Sequence, residues 1–380
     1  MQLDFTPEQD ALRDAVRTVL DGECTRGFVR EIAEGRSGPD SLWRHMVDLG
    51  WPGLAVPEEH GGLGFGAVET AVVLEELGRA IAPGPYVATV TQFAPVVREA
   101  GTAEQRARWL GPVANGDLTG GLALAEAAGS TDPGDVETTI EADGETDRGT
   151  VVVRGTKHFV LDAPTATELV VVGRRPGTSG DDGVTAVVVP AGRARVEVLR
   201  TFDATRPVGT VHLDGVRVDA DRVLGGTGRS AAAAVRRAVE EATVALALET
   251  VGTCQTIFDV TLDYAMHREQ FGVPIGSFQA IKHKFADMLV ALERARATGY
   301  FAALTIAEDD PRRSLATSMA KAAAGDAQRL LATEGIQIHA GIGYTWEHDM
   351  HLFVRRAKAN AALFGTAAEH RARVADAIGL

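Results

Sequence analysis

The spacing of hydrophobic positions changes character twice along the chain, and the two changes divide it into three parts. In "TPEQDALRDAVRTVL" the apolar residues Leu12, Val16, Val19 and Leu20 recur at helical spacing behind Pro7, as expected of a helix with one buried face. Thr6, with Gln9 three residues on, predicts a capping box, and Pro7 suits the first helical position. "VPEEHGGLGFG", Val56 to Gly66, interrupts the helices with a Gly-rich loop before a further helix in "VETAVVLEELGRAI". From about residue 118 the segments "GTVVVRGTKHFVL", "ELVVVGRR", "TAVVVP" and "GTVHLDGVRV" are short, β-branched and bounded by Gly, Pro or Asp turns. They read as an antiparallel β domain, with "PGTSGDDG" as a mobile hairpin loop between two strands.

Helical spacing returns near residue 227. "SAAAAVRRAVEEATVALALETVGTCQTIFDVTLDYAMHRE" reads as one helix of about ten turns. Phe278, Ile281, Phe285, Met288, Leu289 and Leu292 lay an apolar stripe on the next. Two more helices are expected in "SLATSMAKAAAGDAQRLLATEGIQIHA" and "MHLFVRRAKANAALF". The expected fold is α+β and multidomain. It has an N-terminal helical domain (1–117), a middle antiparallel β-barrel-like domain (118–226) and a C-terminal four-helix bundle (227–380).

Composition narrows the function. With 45% hydrophobic and 24% charged residues over 380 positions, the chain is a folded protein rather than a disordered one. Its formal net charge of -14 argues against nucleic acid, whose phosphates demand a basic surface. Cys24 and Cys254 are too far apart for metal-ligand spacing and read as reduced, buried thiols of a cytoplasmic protein. "MQLDFTPEQD" lacks an apolar signal region, and no apolar run is long enough to span a membrane.

Chemistry concentrates in "REQFGVPIGSFQAIKHKFADM", Arg268 to Met288. Arg268 offers a fork of donors suited to a phosphate or pyrophosphate. Phe271 can stack on a flat ring, Gly272 permits close backbone approach, and Gln279 carries an amide at the start of the next helix. Taken alone, the same residues also suit a purely structural helix end.

The order of helical, β and helical parts, together with "VPEEHGGLG", the Arg268 stretch and "GIQIHAGIGYTWEHDMHLFVRRAK", resembles the acyl-CoA dehydrogenase family of flavoenzymes. The resemblance spans essentially the whole chain. It implies that Arg268 contacts the FAD pyrophosphate, with Phe271 near the adenine end and Gln279 beside it. It also implies that a Gln-x-x-Gly-Gly-like stretch, here Gln337 to Gly341, reaches the FAD of a neighbouring subunit, so the protein is expected to be a tetramer. Ala340 replaces one glycine of that stretch, which is tolerable only at negative φ. In the β domain, "LALAEAAGSTDPGD" keeps Glu126, Ser130 and Asp135 of the flavin loop. Phe159 stands near the position at which the family carries a tryptophan against the flavin, and Leu161 near that of a hydroxyl residue. The implied partners are an acyl-CoA substrate and electron-transfer flavoprotein as electron acceptor.

The family's reaction removes an α proton from an acyl-CoA thioester with a carboxylate base, while the flavin accepts the β hydrogen. The usual base is the Glu of a Glu-Gly-Thr triplet. Counting from Arg355-Arg356-Ala357-Lys358, that triplet here is Phe364-Gly365-Thr366, so the base is absent while Gly365 and Thr366 complete the cofactor-binding set. A minority of members carry the base on the long helix, at a position that is Ala242 here. Glu241 is adjacent and is the candidate base, with Glu240 and Glu249 behind it; a solvated helix face is the plain alternative.

Some members of actinobacterial type are α2β2 heterotetramers in which one subunit type lacks the C-terminal glutamate, as this chain does, and such enzymes often act on steroid side chains. Three functions therefore stand: an acyl-CoA dehydrogenase of fatty-acid or steroid side-chain type, a non-catalytic partner subunit, and a flavin oxidase or monooxygenase on the same fold. His339, His348 and His351 read as loop histidines rather than metal ligands. Tyr344 and Trp346 read as packing aromatics at a subunit interface or as substrate contacts, and Arg355 and Arg356 as contacts to CoA phosphate or as surface or intersubunit pairs.

Overall fold

A computed structural model describes residues 4–143, 149–226 and 228–380. The first helices are α1 (Pro7–Glu23), α2 (Arg26–Ala33), α3 (Asp40–Asp48), α4 (Ala67–Arg79), the single turn α5 (Tyr86–Ala88), α6 (Ala94–Ala100) and α7 (Ala103–Ala114). Seven strands follow, β1 (Gly120–Ala123), β2 (Thr139–Ala142), β3 (Thr150–Leu161), β4 (Glu168–Arg174), β5 (Val184–Pro190), β6 (Arg195–Val198) and β7 (Val208–Asp219). Then come α8 (Ala232–His267), a small hairpin of β8 (Glu269–Gln270) and β9 (Val273–Pro274), α9 (Gln279–Ala307), α10 (Arg313–His339), α11 (Met350–Ala362) and α12 (Ala367–Ala377). These elements form two compact units, one made of Met1–Gly38, Ala67–Pro83 and Thr243–Leu380, the other of Pro39–Gly66 and Gly84–Ala242.

The second unit is built on one sheet with strand order β1-β4-β2-β3-β7-β6 and β5 on β4. Its core collects alternate residues of successive strands, among them Val151, Val153, Leu169, Val171, Val187 and Val189, as the two-residue period of a strand requires. The sheet is mainly antiparallel, as expected, but β1 runs parallel to β4 from Gly120 opposite Glu168 to Ala123 opposite Val171. The β2–β3 segment between them supplies the long crossover that a parallel pair needs. The "PGTSGDDG" loop joins the antiparallel strands β4 and β5, as expected of a hairpin loop. Arg174 donates to the carbonyls of Thr178 (3.0 Å) and Gly180 (2.6 Å), and Arg236 pairs with Asp181, so the loop is pinned from two sides.

In the helical unit α1 starts at the expected capping box, with Thr6 Oγ1 accepting from Gln9 N and Gln9 Oε1 accepting from Thr6 N. The long helix is continuous over 36 residues. It crosses α4 at backbone contact, because Gly78 faces the carbonyl of Glu249 and Gly252 faces the carbonyl of Glu75. Thr253 Oγ1 donates to Gly78 O (3.0 Å) and Thr256 Oγ1 to Arg79 O (2.8 Å), which fixes the crossing. Two buried carboxylates of α4 are answered in full. Glu75 accepts from Arg296 (2.8 Å) and Tyr300 (2.6 Å), and Glu76 takes a two-pronged bond from Arg17 (2.9 and 2.7 Å). Both cysteines are buried free thiols. The stripe on α9 is only half covered: Met288 and Leu292 are buried, whereas Phe278 and Leu289 stay exposed.

The crossing generates a stability prediction with an internal control. A methyl at Gly252 would overlap the Glu75 carbonyl, so Gly252→Ala should destabilise by roughly 1–3 kcal/mol. Gly22, inside α1 with open space around it, should respond with the opposite sign, Gly22→Ala gaining about 0.5–1 kcal/mol. Thermal unfolding of the two variants beside the parent checks both signs.

Candidate functional site

The helical unit carries the first group of candidate residues. Arg268 follows the last turn of α8, and Ile275 N donates to its carbonyl (2.8 Å), closing the base of the β8–β9 hairpin. Phe271 and Gly272 form the tip at φ 55° and 80°. Positive φ at both central residues is what a tight two-residue hairpin requires. Glycine accepts it freely; phenylalanine does so at a cost. The Phe271 ring is nevertheless 93% exposed, and the Arg268 guanidinium is exposed with no hydrogen bond or ion pair to any described residue. Gln279 opens α9, also exposed, behind a cap residue that lends no side-chain bond.

Gln337 lies at the C-terminus of α10, exposed, and its helix end packs beside the last turn of α8 through His339 stacked on Tyr264 at 4.5 Å. Lys284 pairs with Glu334, tying the start of α9 to the same place. Ala340 overturns its expectation. It adopts φ 52°, ψ -135°, a region open to glycine and strained for any residue with a Cβ. Gly341 next to it has open space on its Cβ side. Two of the histidines expected in a loop are helical: His339 ends α10 and donates Nδ1–H to Gly335 O (2.7 Å), and His351 lies in α11 and stacks on Trp346 at 4.4 Å. Burial holds the imidazoles of His339, His348 and His351 below their usual value. No group of three or more His, Cys, Asp or Glu among the described residues is arranged to hold a metal ion.

The Phe364-Gly365-Thr366 turn sits elsewhere in this unit. It packs on α10 near Ser318, whereas Gln337 and His339 end that helix. At the rise of an α-helix the stretch from Ser318 to His339 is about 30 Å long. Within one chain, therefore, Arg268, Phe271, Gln279 and Gln337 share one end of the bundle, and Gly365 and Thr366 the other. Thr366 caps α12 in a box with Glu369.

The sheet unit holds the second group. Phe159 stands on a bulge where the β3–β7 register shifts between Lys157 and Val160, at φ 57° and 54% exposed, while Leu161 is buried. Ser130 Oγ donates to Asp135 (2.6 Å) and shapes the loop after β1. Glu126 anchors that loop, accepting from the backbone of Glu137 and Thr138 (2.8 Å each), from Thr138 Oγ1 (2.7 Å) and from Lys157 Nζ (2.7 Å). Burial opposes its charge, yet the Lys157 and Thr138 contacts hold the carboxyl below its usual range. Burial lowers the Lys157 ammonium to about 8 despite Glu126. Lys157 was not singled out from sequence, although its inward place in an alternating strand is a signal for it.

The helix carboxylates Glu241 and Glu249 meet different fates. Glu241 is ion-paired with Arg98 at 2.5 Å, and Arg98 also meets Glu99 at 3.3 Å, which in turn bonds Arg237 at 3.0 Å. Ala242, at the minority base position, is fully buried. Glu249 is not available as an acid. It is wholly enclosed, accepting from Arg356 (2.8 Å) and Asn360 Nδ2 (2.9 Å), and Arg356 also donates to Ala82 O (3.2 Å). This corrects the reading of Arg356 as a CoA contact, since its guanidinium is fully buried; Arg355 lies over the Trp346 ring at 5.1 Å.

Comparison with known proteins fits this geometry. Residues 6–117, 121–217 and 231–379 match the N-terminal, middle and C-terminal domains of acyl-CoA dehydrogenase. The mitochondrial short-chain specific acyl-CoA dehydrogenase of Bos taurus is 30% identical over 344 residues, 89% of this chain and 82% of that protein. A chain of the ChsE4-ChsE5 complex from Mycobacterium tuberculosis is 28% identical, with a TM-score of 0.88 over 100% of this chain and 99% of that one. A chain of the Tcur3481-Tcur3483 steroid ACAD is 30% identical, with a TM-score of 0.85 over 98% of this chain and 97% of that one. The chain belongs to the acyl-CoA dehydrogenase family, and this membership supports acyl-CoA oxidation as the reaction class.

Glu249 is the residue to test here. If it is a structural anion, Glu249→Ala strands Arg356 in the interior and should cost roughly 3–5 kcal/mol, read as a lowered midpoint in chemical denaturation.

Proposed function

We propose that this chain is a flavin-binding subunit of an acyl-CoA dehydrogenase that works with a related second subunit, and that the second subunit supplies the catalytic base. The observation that carries this reading is the disposition of carboxylates. Phe364 occupies the triplet position, Ala242 is buried at the helix position, and Glu249 is consumed by Arg356 and Asn360. A phenyl ring cannot take a proton, and an enclosed carboxylate bonded to a guanidinium cannot approach a substrate carbon.

The residues present fit FAD. Arg268, exposed and unpaired among the described residues, suits a diphosphate, and the Phe271 ring offers its face beside it. Gln337 and Gly341 would serve the same cofactor from a neighbouring copy, Gln279 would hold its near end, and Ser130 and Phe159 would line the ring end. Gly365 and Thr366 lie about 30 Å along α10 from the Arg268 group, so contributions from more than one subunit reconcile the set with one cofactor. FAD, when bound, supplies the hydride acceptor. This chain's own part is to bind the cofactor and to enclose the acyl group; removal of the α proton falls to the partner's carboxylate. The names of the relatives, a short-chain acyl-CoA dehydrogenase, a steroid ACAD and a ChsE4-ChsE5 complex, support a fatty-acyl or steroid thioester and a complex of two related chains; in the proposed reading that complex is a heterotetramer that passes its electrons to electron-transfer flavoprotein.

A second reading keeps Glu241 as base, favoured by its place next to Ala242, but it requires breaking the pair with Arg98. The two readings separate experimentally. Glu241→Gln should leave acyl-CoA-dependent flavin bleaching by the reconstituted complex within about threefold of the parent. A loss of the 10²–10⁴-fold that a positioned base provides would instead make Glu241 the base.

Cofactor binding has its own test. Arg268→Ala removes a charge-assisted contact and should weaken flavin binding by roughly 1.5–3 kcal/mol. Flavin content of the purified variant measures this, and unchanged content would remove Arg268 from the site.

A further inference from the structure

Phe364 and Gly365 adopt φ 55° and 96° in succession. A phenylalanine in the left-handed region is an outlier that persists only where its surroundings over-determine it. Here they do so through one imidazole. His370, on the first turn of α12 and 1% exposed, donates Nε2–H to Phe364 O (2.8 Å). Its other nitrogen faces Ser318 Oγ on α10 at 3.3 Å, and with Nε2 protonated that nitrogen can only accept. Gly365 lies against the ring, where a Cβ would stand 3.0 Å from Nε2, so the turn and the imidazole are in packed contact. Burial lowers the His370 imidazole to about 4, so it is neutral at ordinary pH, in the form with one donor and one acceptor that this arrangement uses. Nearby, Lys321 Nζ donates to Asn360 O (2.5 Å) and fixes the end of α11 that leads into the turn.

The turn is thus held in a costly shape in a chain whose residue 364 has no acid to present. We propose that His370, oriented by Ser318, is a positioning residue that latches the Phe364-Gly365 turn in its left-handed conformation, so that the turn serves to bind ligand and not to abstract a proton. The latch itself stands on this geometry alone; the ligand, flavin or acyl-CoA, rests on the function proposed above.

The test uses the full chain with three variants, His370→Ala, His370→Gln and His370→Ala/Phe364→Asn. Hydrogen–deuterium exchange of the 361–368 peptide reports the turn directly. His370→Ala should raise exchange there by roughly tenfold, the effect of losing one buried hydrogen bond. Glutamine, which keeps a donor, should restore most of the protection. Asparagine at 364, which tolerates the left-handed region, should restore it without the imidazole. Titration with FAD should follow the same order, with about a tenfold loss in affinity for His370→Ala. Unchanged exchange in His370→Ala, or raised exchange that neither rescue reduces, would overturn the latch. A parent protein that binds no flavin would defeat the proposed function, and the exchange comparison would still decide the latch.

Discussion

Everything distinctive about this chain depends on one enclosed ion pair. Glu249 and Arg356 meet at 2.8 Å with both side chains fully buried, and Asn360 takes the second carboxylate oxygen. Burying two charges is expensive, and their attraction repays it only when the remaining donors and acceptors are also met. Asn360 and the Ala82 carbonyl meet them. The pair joins α8 to α11 at the level where Gly78 and Gly252 bring α4 and α8 into backbone contact. It also removes from chemistry the acid on the long helix that lies deepest in the helical unit.

A helical unit can enclose carboxylates for structure or present them for catalysis, but one carboxylate does not do both. Glu75, Glu76 and Glu249 are enclosed and answered by Arg296 and Tyr300, by Arg17 and by Arg356. Groups that are exposed and unanswered lie at the other end of the bundle, where Arg268 and Phe271 stand out from the hairpin. The helical unit thus uses its enclosed acids in packing, and the proposed function gives the exposed Arg268 and Phe271 to a planar, anionic ligand.

Much of this was legible in the sequence because local rules govern it. The Thr6–Gln9 capping box, the length of α8 and the β-branched strands each follow from periodicity or caps, and each formed. That position 364 is phenylalanine and not glutamate could be counted directly along the chain. What remained hidden depends on long-range partners. Nothing near Glu249 in sequence announces Arg356, more than a hundred positions away, so an enclosed acid and a solvent-facing one look alike. The left-handed backbone at Ala340 contradicts the local expectation for alanine, and the parallel β1–β4 pair depends on a crossover that strand patterning does not encode. His370 and Lys157 were passed over for the same reason. Their meaning lies in Ser318, Phe364 and Glu126, residues that only the folded chain brings to them.

The central claim is that this chain binds acyl-CoA and flavin without owning a base. Exchange of the acyl-CoA α protons with deuterated solvent isolates that step, because it needs a base but neither hydride transfer nor an electron acceptor. The isolated, flavin-loaded chain should exchange them no faster than solvent alone, and the complex with the glutamate-bearing subunit should exchange them readily. Rapid exchange catalysed by the isolated chain would contradict the account and return the base to this polypeptide.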